Sequence, residues 1–278
     1  MLLSVQKLRI AWLFMMAVYL SSGTTSAQQK PLFRVIAFFT GKNDKAHISF
    51  VNEANRNFPK LAEKNHFTYD TTSNWNNLNA EFLSKYQVVL FLDTRPETSG
   101  QREAFRHYME HGGAWMGFHF AAFALTPSAY PQNWDWYHNE FLGSGQYKSN
   151  TWRPTSAILK AENRNHPAVR GISATIKASP NEWYQWENDL TQNKDIQILL
   201  SIDPSSFPLG TGPKQHEIWK SGYYPVVWTN RKYRMIYLNM GHNDIDYENK
   251  TDKELSFTFD NDVQNQFIIN ALIWLGNK

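Results

Sequence analysis

The sequence predicts an α/β fold: a mostly parallel sheet with helices packed on both faces. Short apolar runs alternate along the first half of the chain with segments whose apolar residues recur every three or four positions, the pattern of strand–helix–strand units. The central run, Ala114–Phe118, has no polar face, as a strand covered on both sides requires. Once an amino-terminal secretory signal is set aside, roughly 250 residues remain, enough for one large domain with a substantial core.

In chain order, Phe33–Thr40 (FRVIAFFT) reads as the first strand and Gly41–Lys45 as a polar loop. Ala46–Asn65 reads as a helix with Ile48, Val51, Ala54, Phe58 and Leu61 on its apolar side. Pro59 is expected to end or kink it, because proline removes an amide donor and crowds the preceding turn. Phe67–Asp70 follows as a strand, Ala80–Lys85 as a short helix and Gln87–Leu92 as a third strand. Ser99–His111 is a helix capped by Thr98 or Ser99 and closed by Gly112. After Ala121 the character changes. Residues 122–150 are rich in Trp, Tyr, Asn and Gly, and only Trp136–Leu142 looks helical. Strands are expected at Thr155–Lys160, Ala174–Ala178 and Ile196–Ile202. A hairpin of Pro225–Thr229 and Met235–Leu238 turns around Asn230–Lys232, and Asp262–Leu275 is a closing amphipathic helix. No internal repeat or linker interrupts residues 28–278, which read as a single domain.

Residues 1–27 have the layout of a signal peptide: Lys7 and Arg9, the apolar run Ile10–Leu20, then small residues ending Thr25-Ser26-Ala27. The run is too short to cross a bilayer, so a secreted or periplasmic protein with no membrane role is expected. Loss of Lys7 and Arg9 takes the formal charge from +3 to +1. With no Lys/Arg run, that balance argues against nucleic acid as a partner. The chain has no cysteine, which excludes disulfides, thiol catalysis and thiolate metal sites.

Three histidines stand where a parallel sheet presents ligand groups, beyond the carboxyl ends of its strands. His47 follows the first strand, His242 follows Met235–Leu238, and His119 leaves the central strand in Gly117-x-His119-x-Ala121, the spacing of a nucleophile elbow with His in the nucleophile's place. Glu182 is a carboxylate beside aromatics, where burial would suit it to acid–base work. His119, His242 and Glu182 are the catalytic candidates. His47, His119 and His242 are the candidate ligands of a divalent metal such as zinc, although each alone can equally be a structural residue and no compact HExxH spacing is present. Asp93 and Thr94 end the third strand at the same edge; Asp244 could orient His242 or meet substrate. Trp136, Tyr137, Trp183 and Tyr184 could stack on a sugar, or pack as a lid or as a contact between copies in a homo-oligomer. His66, His107, His111, His138, His166 and His216 read as surface or packing residues, and Gly143-Ser144-Gly145 lacks the context of a phosphate loop.

Several stretches, in order, resemble the ThuA-like (trehalose utilisation) family of the class I glutamine amidotransferase-like superfamily. They are Ser99–Ala121 with GGAWMGFHFA; Trp136-Tyr137 with Phe141-Leu142-Gly143; His166-Pro167-Ala168 with Arg170-Gly171; Asn181-Glu182-Trp183-Tyr184; and Pro225–Thr229 with Tyr237–His242. The resemblance implies a flavodoxin-like three-layer α/β/α sandwich. It implies a role in disaccharide catabolism, on glycosides or keto-sugar derivatives, by hydrolysis or lysis. It also implies that His119 stands near the place of the amidotransferase cysteine, so glutamine hydrolysis is excluded. A carbohydrate-binding protein without catalysis is the alternative. Two departures stand out: Lys148-Ser149-Asn150 where the family often carries a His, and Asn181 where it often carries Asp.

Overall fold

The buried runs form a central sheet whose strands alternate between two cores. The computed structural model describes residues 30–277 apart from 43, 127–132, 152–153, 204–223, 244, 247–248, 252 and 256–257. Among the described residues, β1 (Arg34–Phe38), β2 (Thr68–Thr72), β3 (Val88–Phe91), β4 (Ala114–Phe118), β6 (Ile158–Ala161), β7 (Thr175–Lys177), β9 (Ile196–Ile202), β10 (Tyr224–Asn230) and β11 (Arg234–Leu238) make one sheet. Its order is β2-β1-β3-β4-β11-β10-β9-β6-β7. A separate antiparallel pair joins β5 (Tyr147–Asn150) to β8 (Tyr184–Trp186).

The half from β2 to β11 is parallel, and the half from β11 to β7 is antiparallel. The expectation of a mostly parallel sheet is thus corrected to a mixed one. The cause is local: the turn between β10 and β11 is too short for a crossover, so the two strands must run antiparallel. Asn230 pins that turn by accepting the Lys232 amide at 2.9 Å.

Strand side chains obey the two-residue period. Val35, Ala37, Val88, Leu90, Met116, Phe118, Ile236 and Leu238 face one core, closed by α1 (Lys45–Lys64) and α4 (Asp262–Gly276). Ile36, Phe38, Val89, Phe91, Trp115, Met235 and Tyr237 face the other. That second core is closed by α2 (Ala80–Leu83), α3 (Ser99–Glu110) and a wide π-type turn at Trp136–Phe141. Gly117 is required here, because a Cβ on it would lie inside the Trp115 ring.

Helix α1 runs through Pro59 without ending. Pro59 is exposed, so water can take over the carbonyl whose amide partner proline removes. Thr98 closes the start of α3 with a reciprocal capping box to Gln101. Asp44 caps α1, its side chain accepting the Ala46 amide at 2.8 Å. No described helix is long and apolar enough to cross a membrane.

Candidate functional site

The carboxyl ends of β1, β4 and β11 deliver three histidines to one place. His47 is the third residue of α1, the helix that follows β1, rather than a loop residue. His119 is the first residue after β4, and His242 lies in the loop beyond β11. Their ring centroids are 5.3 Å (His47–His119), 4.9 Å (His47–His242) and 5.2 Å (His119–His242) apart. Glu182, just before β8, closes the group. Its Oε2 lies 3.4 Å from His119 Nε2 and 3.8 Å from His242 Nε2. Asp44 Oδ2 stands 4.0 Å from His242 Nε2, and its side chain, 47% exposed, marks the solvent side of the cluster.

His119 takes φ +39°, a left-handed conformation that side chains with a Cβ adopt only when the surroundings impose it. The sequence spacing of an elbow is therefore matched by an elbow's backbone. Gly241 lets the next loop close over it. With φ +128°, a Cβ there would approach the His119, Phe118 and Phe50 side chains at 3.2 Å.

Buried amides hold His119, Glu182 and the main chain of the His242 loop. The His119 Nδ1 lies 3.1 Å from the Asn239 main-chain oxygen. A carbonyl only accepts, so Nδ1 holds the proton and Nε2 is left as a bare lone pair in the neutral ring. Asn150 donates to Glu182 Oε1 at 2.5 Å, turning Oε2 toward the histidines. Asn181 Oδ1 accepts the Gly241 and His242 amides at 3.0 and 3.1 Å, while its Nδ2 donates to the Asn239 oxygen at 2.6 Å. The two departures from the family pattern are thus both built into the site: Asn150 orients the carboxylate, and Asn181 supplies a donor that an ionised Asp would lack. Asp93 accepts the Thr40 and Gly41 amides at 2.8 and 2.5 Å, holding the loop that leads to Asp44; its role is structural.

Burial is the main reason all three imidazoles resist protonation. It lowers His119 to about 4. It lowers His47 to about 3, with His119 adding to the effect. His242 is lowered to about 3 by burial and by His47, against the opposing pull of Glu182. His47 Nε2, His119 Nε2 and His242 Nδ1 make no hydrogen bond among the described residues. Two overlapping sets of potential ligands result, His47–His119–Glu182 and Asp44–His47–His242, each with its atoms within 4.8 Å.

The expected sugar platform is corrected. Trp136 and Tyr137 pack around Phe105, Trp115 and Phe141. Trp183 is fully buried and donates to the Thr155 oxygen at 2.7 Å. Rings covered on all sides have no face for a ligand; the long helix-like polar–aromatic run 134–142 is a core wall. Of the four, Tyr184 alone reaches the site, its buried ring tilted against His119 with centroids 4.0 Å apart. Half-buried Phe120 and Phe123, stacked at 4.7 Å, adjoin the cluster instead, Phe120 lying 4.8 Å from the His47 ring. Asp244 lies outside the described residues. Of the histidines set aside, His138 and His166 are buried packing residues, His166 capping its turn by accepting the Ala168 amide; His216 is outside the described residues.

Sequence reasoning missed Asp44, Asn239 and Glu53. Asp44 was legible as a helix cap; a cap beside a ligand site carries no separate signal. Glu53 is buried and accepts from Asn243, Thr258 and Phe259, binding the His242 loop to α1.

A family model described as "ThuA: Trehalose utilisation" matches residues 35–257. A putative ThuA-like protein from Bacteroides uniformis ATCC 8492 is 35% identical, with a TM-score of 0.76 over 89% of this chain and 92% of its own. A putative ThuA-like protein from Parabacteroides merdae ATCC 43184 is 16% identical, with a TM-score of 0.56 over 88% and 90%. A cytoplasmic protein from Salmonella typhimurium shares the fold at 10% identity, with a TM-score of 0.52 over 88% and 99%. No curated protein matches the chain.

Proposed function

The chain belongs to the ThuA family, and from that membership we propose that it is an exported sugar-processing enzyme that cleaves a glycoside or a keto-sugar derivative, by hydrolysis or lysis. The family's association with trehalose utilisation makes carbohydrate metabolism its setting. The flavodoxin-like sandwich of that superfamily is consistent with the α/β sheet and its two helical layers. The observation that carries the reading is the meeting of His119, His242 and Glu182 around one oxygen, at 3.4 and 3.8 Å.

Breaking a glycosidic bond requires a proton for the leaving oxygen and a group that activates water or removes a ring proton. The neutral imidazoles and the Glu182 carboxylate supply the base without a thiol, and the proton that one of them takes from water or from the sugar is the proton passed on to the leaving oxygen. The half-buried Phe120 and Phe123 give the apolar surface against which a sugar ring can lie. Residues 1–27 act as the export signal, removed before the protein reaches its substrate.

The test is a panel of disaccharides and their keto derivatives, offered to purified mature protein, with products followed by mass spectrometry and binding by calorimetry. Turnover supports the reading. Binding without turnover replaces it with a carbohydrate-binding protein, and neither binding nor turnover removes sugars from the account.

A further inference from the structure

His119 Nε2 lies 3.4 Å from Glu182 Oε2. Nε2 is bare because Nδ1 holds the ring's proton against the Asn239 carbonyl. Glu182 Oε2 is an acceptor, and the same oxygen faces His242 Nε2 at 3.8 Å. A buried imidazole nitrogen that is bare and makes no hydrogen bond, as His119 Nε2 is among the described residues, offers a lone pair to a bound cation. Two ligands on one tetrahedral ion with bonds of about 2.0–2.1 Å stand about 3.3–3.4 Å apart; the His119–Glu182 pair is at that spacing, and the His242–Glu182 pair at 3.8 Å is wider. His47 adds a third imidazole, with its own buried, unbonded Nε2.

We propose that His47, His119, His242 and Glu182 hold one divalent transition-metal ion of the zinc class. Three nitrogens and one carboxylate oxygen, with no thiolate, suit zinc and its neighbours over magnesium or calcium, which take oxygen shells. The groups that orient the ligands are also present: the Asn239 carbonyl fixes the His119 tautomer, and Asn150 turns Glu182. Asp44, near His47 and His242 and open to solvent, provides the entry. The proposal concerns the same cluster as the sugar reading but does not depend on the substrate.

The experiment uses the mature protein without a histidine tag, stripped with chelator and titrated with zinc by calorimetry and elemental analysis. One equivalent per chain is expected, and Co(II) in its place should give the visible bands of a tetrahedral site. His119→Ala and His242→Ala should each abolish stoichiometric binding while circular dichroism stays native, and Asn150→Ala should weaken it roughly 10–100-fold. His66→Gln, remote from the cluster, should bind as wild type does. A folded wild-type protein that takes up no stoichiometric zinc or cobalt overturns the proposal, as does binding that both histidine variants retain. Should either variant misfold, Glu182→Gln provides the same reading: retention of full affinity overturns the proposal. All readouts are independent of turnover, so a failed metal site and a failed sugar reading are told apart.

Discussion

The His119 ring is held by the main-chain oxygen of Asn239, 3.1 Å from Nδ1 and 120 residues away in the sequence. That bond joins the exit of β4 to the exit of β11, neighbouring parallel strands. It sets the tautomer, aims Nε2 at Glu182, and makes the ring's usefulness depend on a loop that the chain reaches only near its end.

Gly241 is the position on which this closure depends most. Gly241→Ala must place a Cβ in a left-handed region and against three side chains at once. The variant should lose roughly 1–3 kcal/mol of stability from backbone strain, and the His242 loop should move away from His119. Urea denaturation and zinc titration of the same sample check both; an unchanged midpoint would mean that the loop has room this structure lacks.

The fold was largely legible because local chemistry dictated it. Ala114–Phe118 and Ile196–Ile202 are strands at the residues their apolar character marks, and Thr98 caps α3 as its position before an apolar period suggests. The antiparallel half was less legible: the 230–232 turn implied it, but the partners of β9 lie far away in sequence. At the site, strand-end placement pointed to His47, His119 and His242, since parallel strands share an edge. The Trp and Tyr residues misled, because a ring's residue type does not reveal whether another element covers it. Trp136 and Tyr137 lie in a polar stretch yet turn inward against Phe105 and Trp115.

Trp115 and Gly117 should be energetically coupled. Gly117→Ala forces the indole out of its place over the strand and should cost about 1–3 kcal/mol or more, as overpacked cores do. In the Trp115→Leu background the same change should cost clearly less, a coupling that a double-mutant cycle reads directly. Equal costs in both backgrounds would deny the contact.

Acid should destabilise the protein through histidines that stay neutral when folded. His138 is buried and held to about 3 by that burial, with Arg95 opposing a second positive charge. Its folded pKa lies below the ordinary 6.5, so the unfolded chain binds the extra proton. Stability is therefore full above pH 6.5 and falls as pH drops toward 3. One such histidine contributes about 1.4 kcal/mol per pH unit once the unfolded ring is protonated. His138→Asn, whose side-chain amide can still donate to the Trp134 oxygen that lies 3.0 Å from His138 Nδ1, should show a stability slope between pH 6 and 5 shallower by up to one proton. Chelator in every sample keeps metal release out of the comparison; identical slopes would contradict the burial of a neutral ring.

Export predicts a processed amino terminus. Mass spectrometry of protein from its native host should find residue 28 first, in the periplasm or medium; an intact Met1 in the cytosol would remove the export step.

The most direct test of the account is the turnover of Glu182→Gln beside wild type on the disaccharide and keto-sugar panel. Gln keeps the shape and can still meet Asn150, but it cannot hold the charge that faces His119 and His242. The account predicts sugar binding within a few-fold of wild type and loss of turnover by roughly 100-fold or more, the scale of a lost acid–base or charge-stabilising group. Turnover at the wild-type rate from a folded Glu182→Gln protein would contradict it.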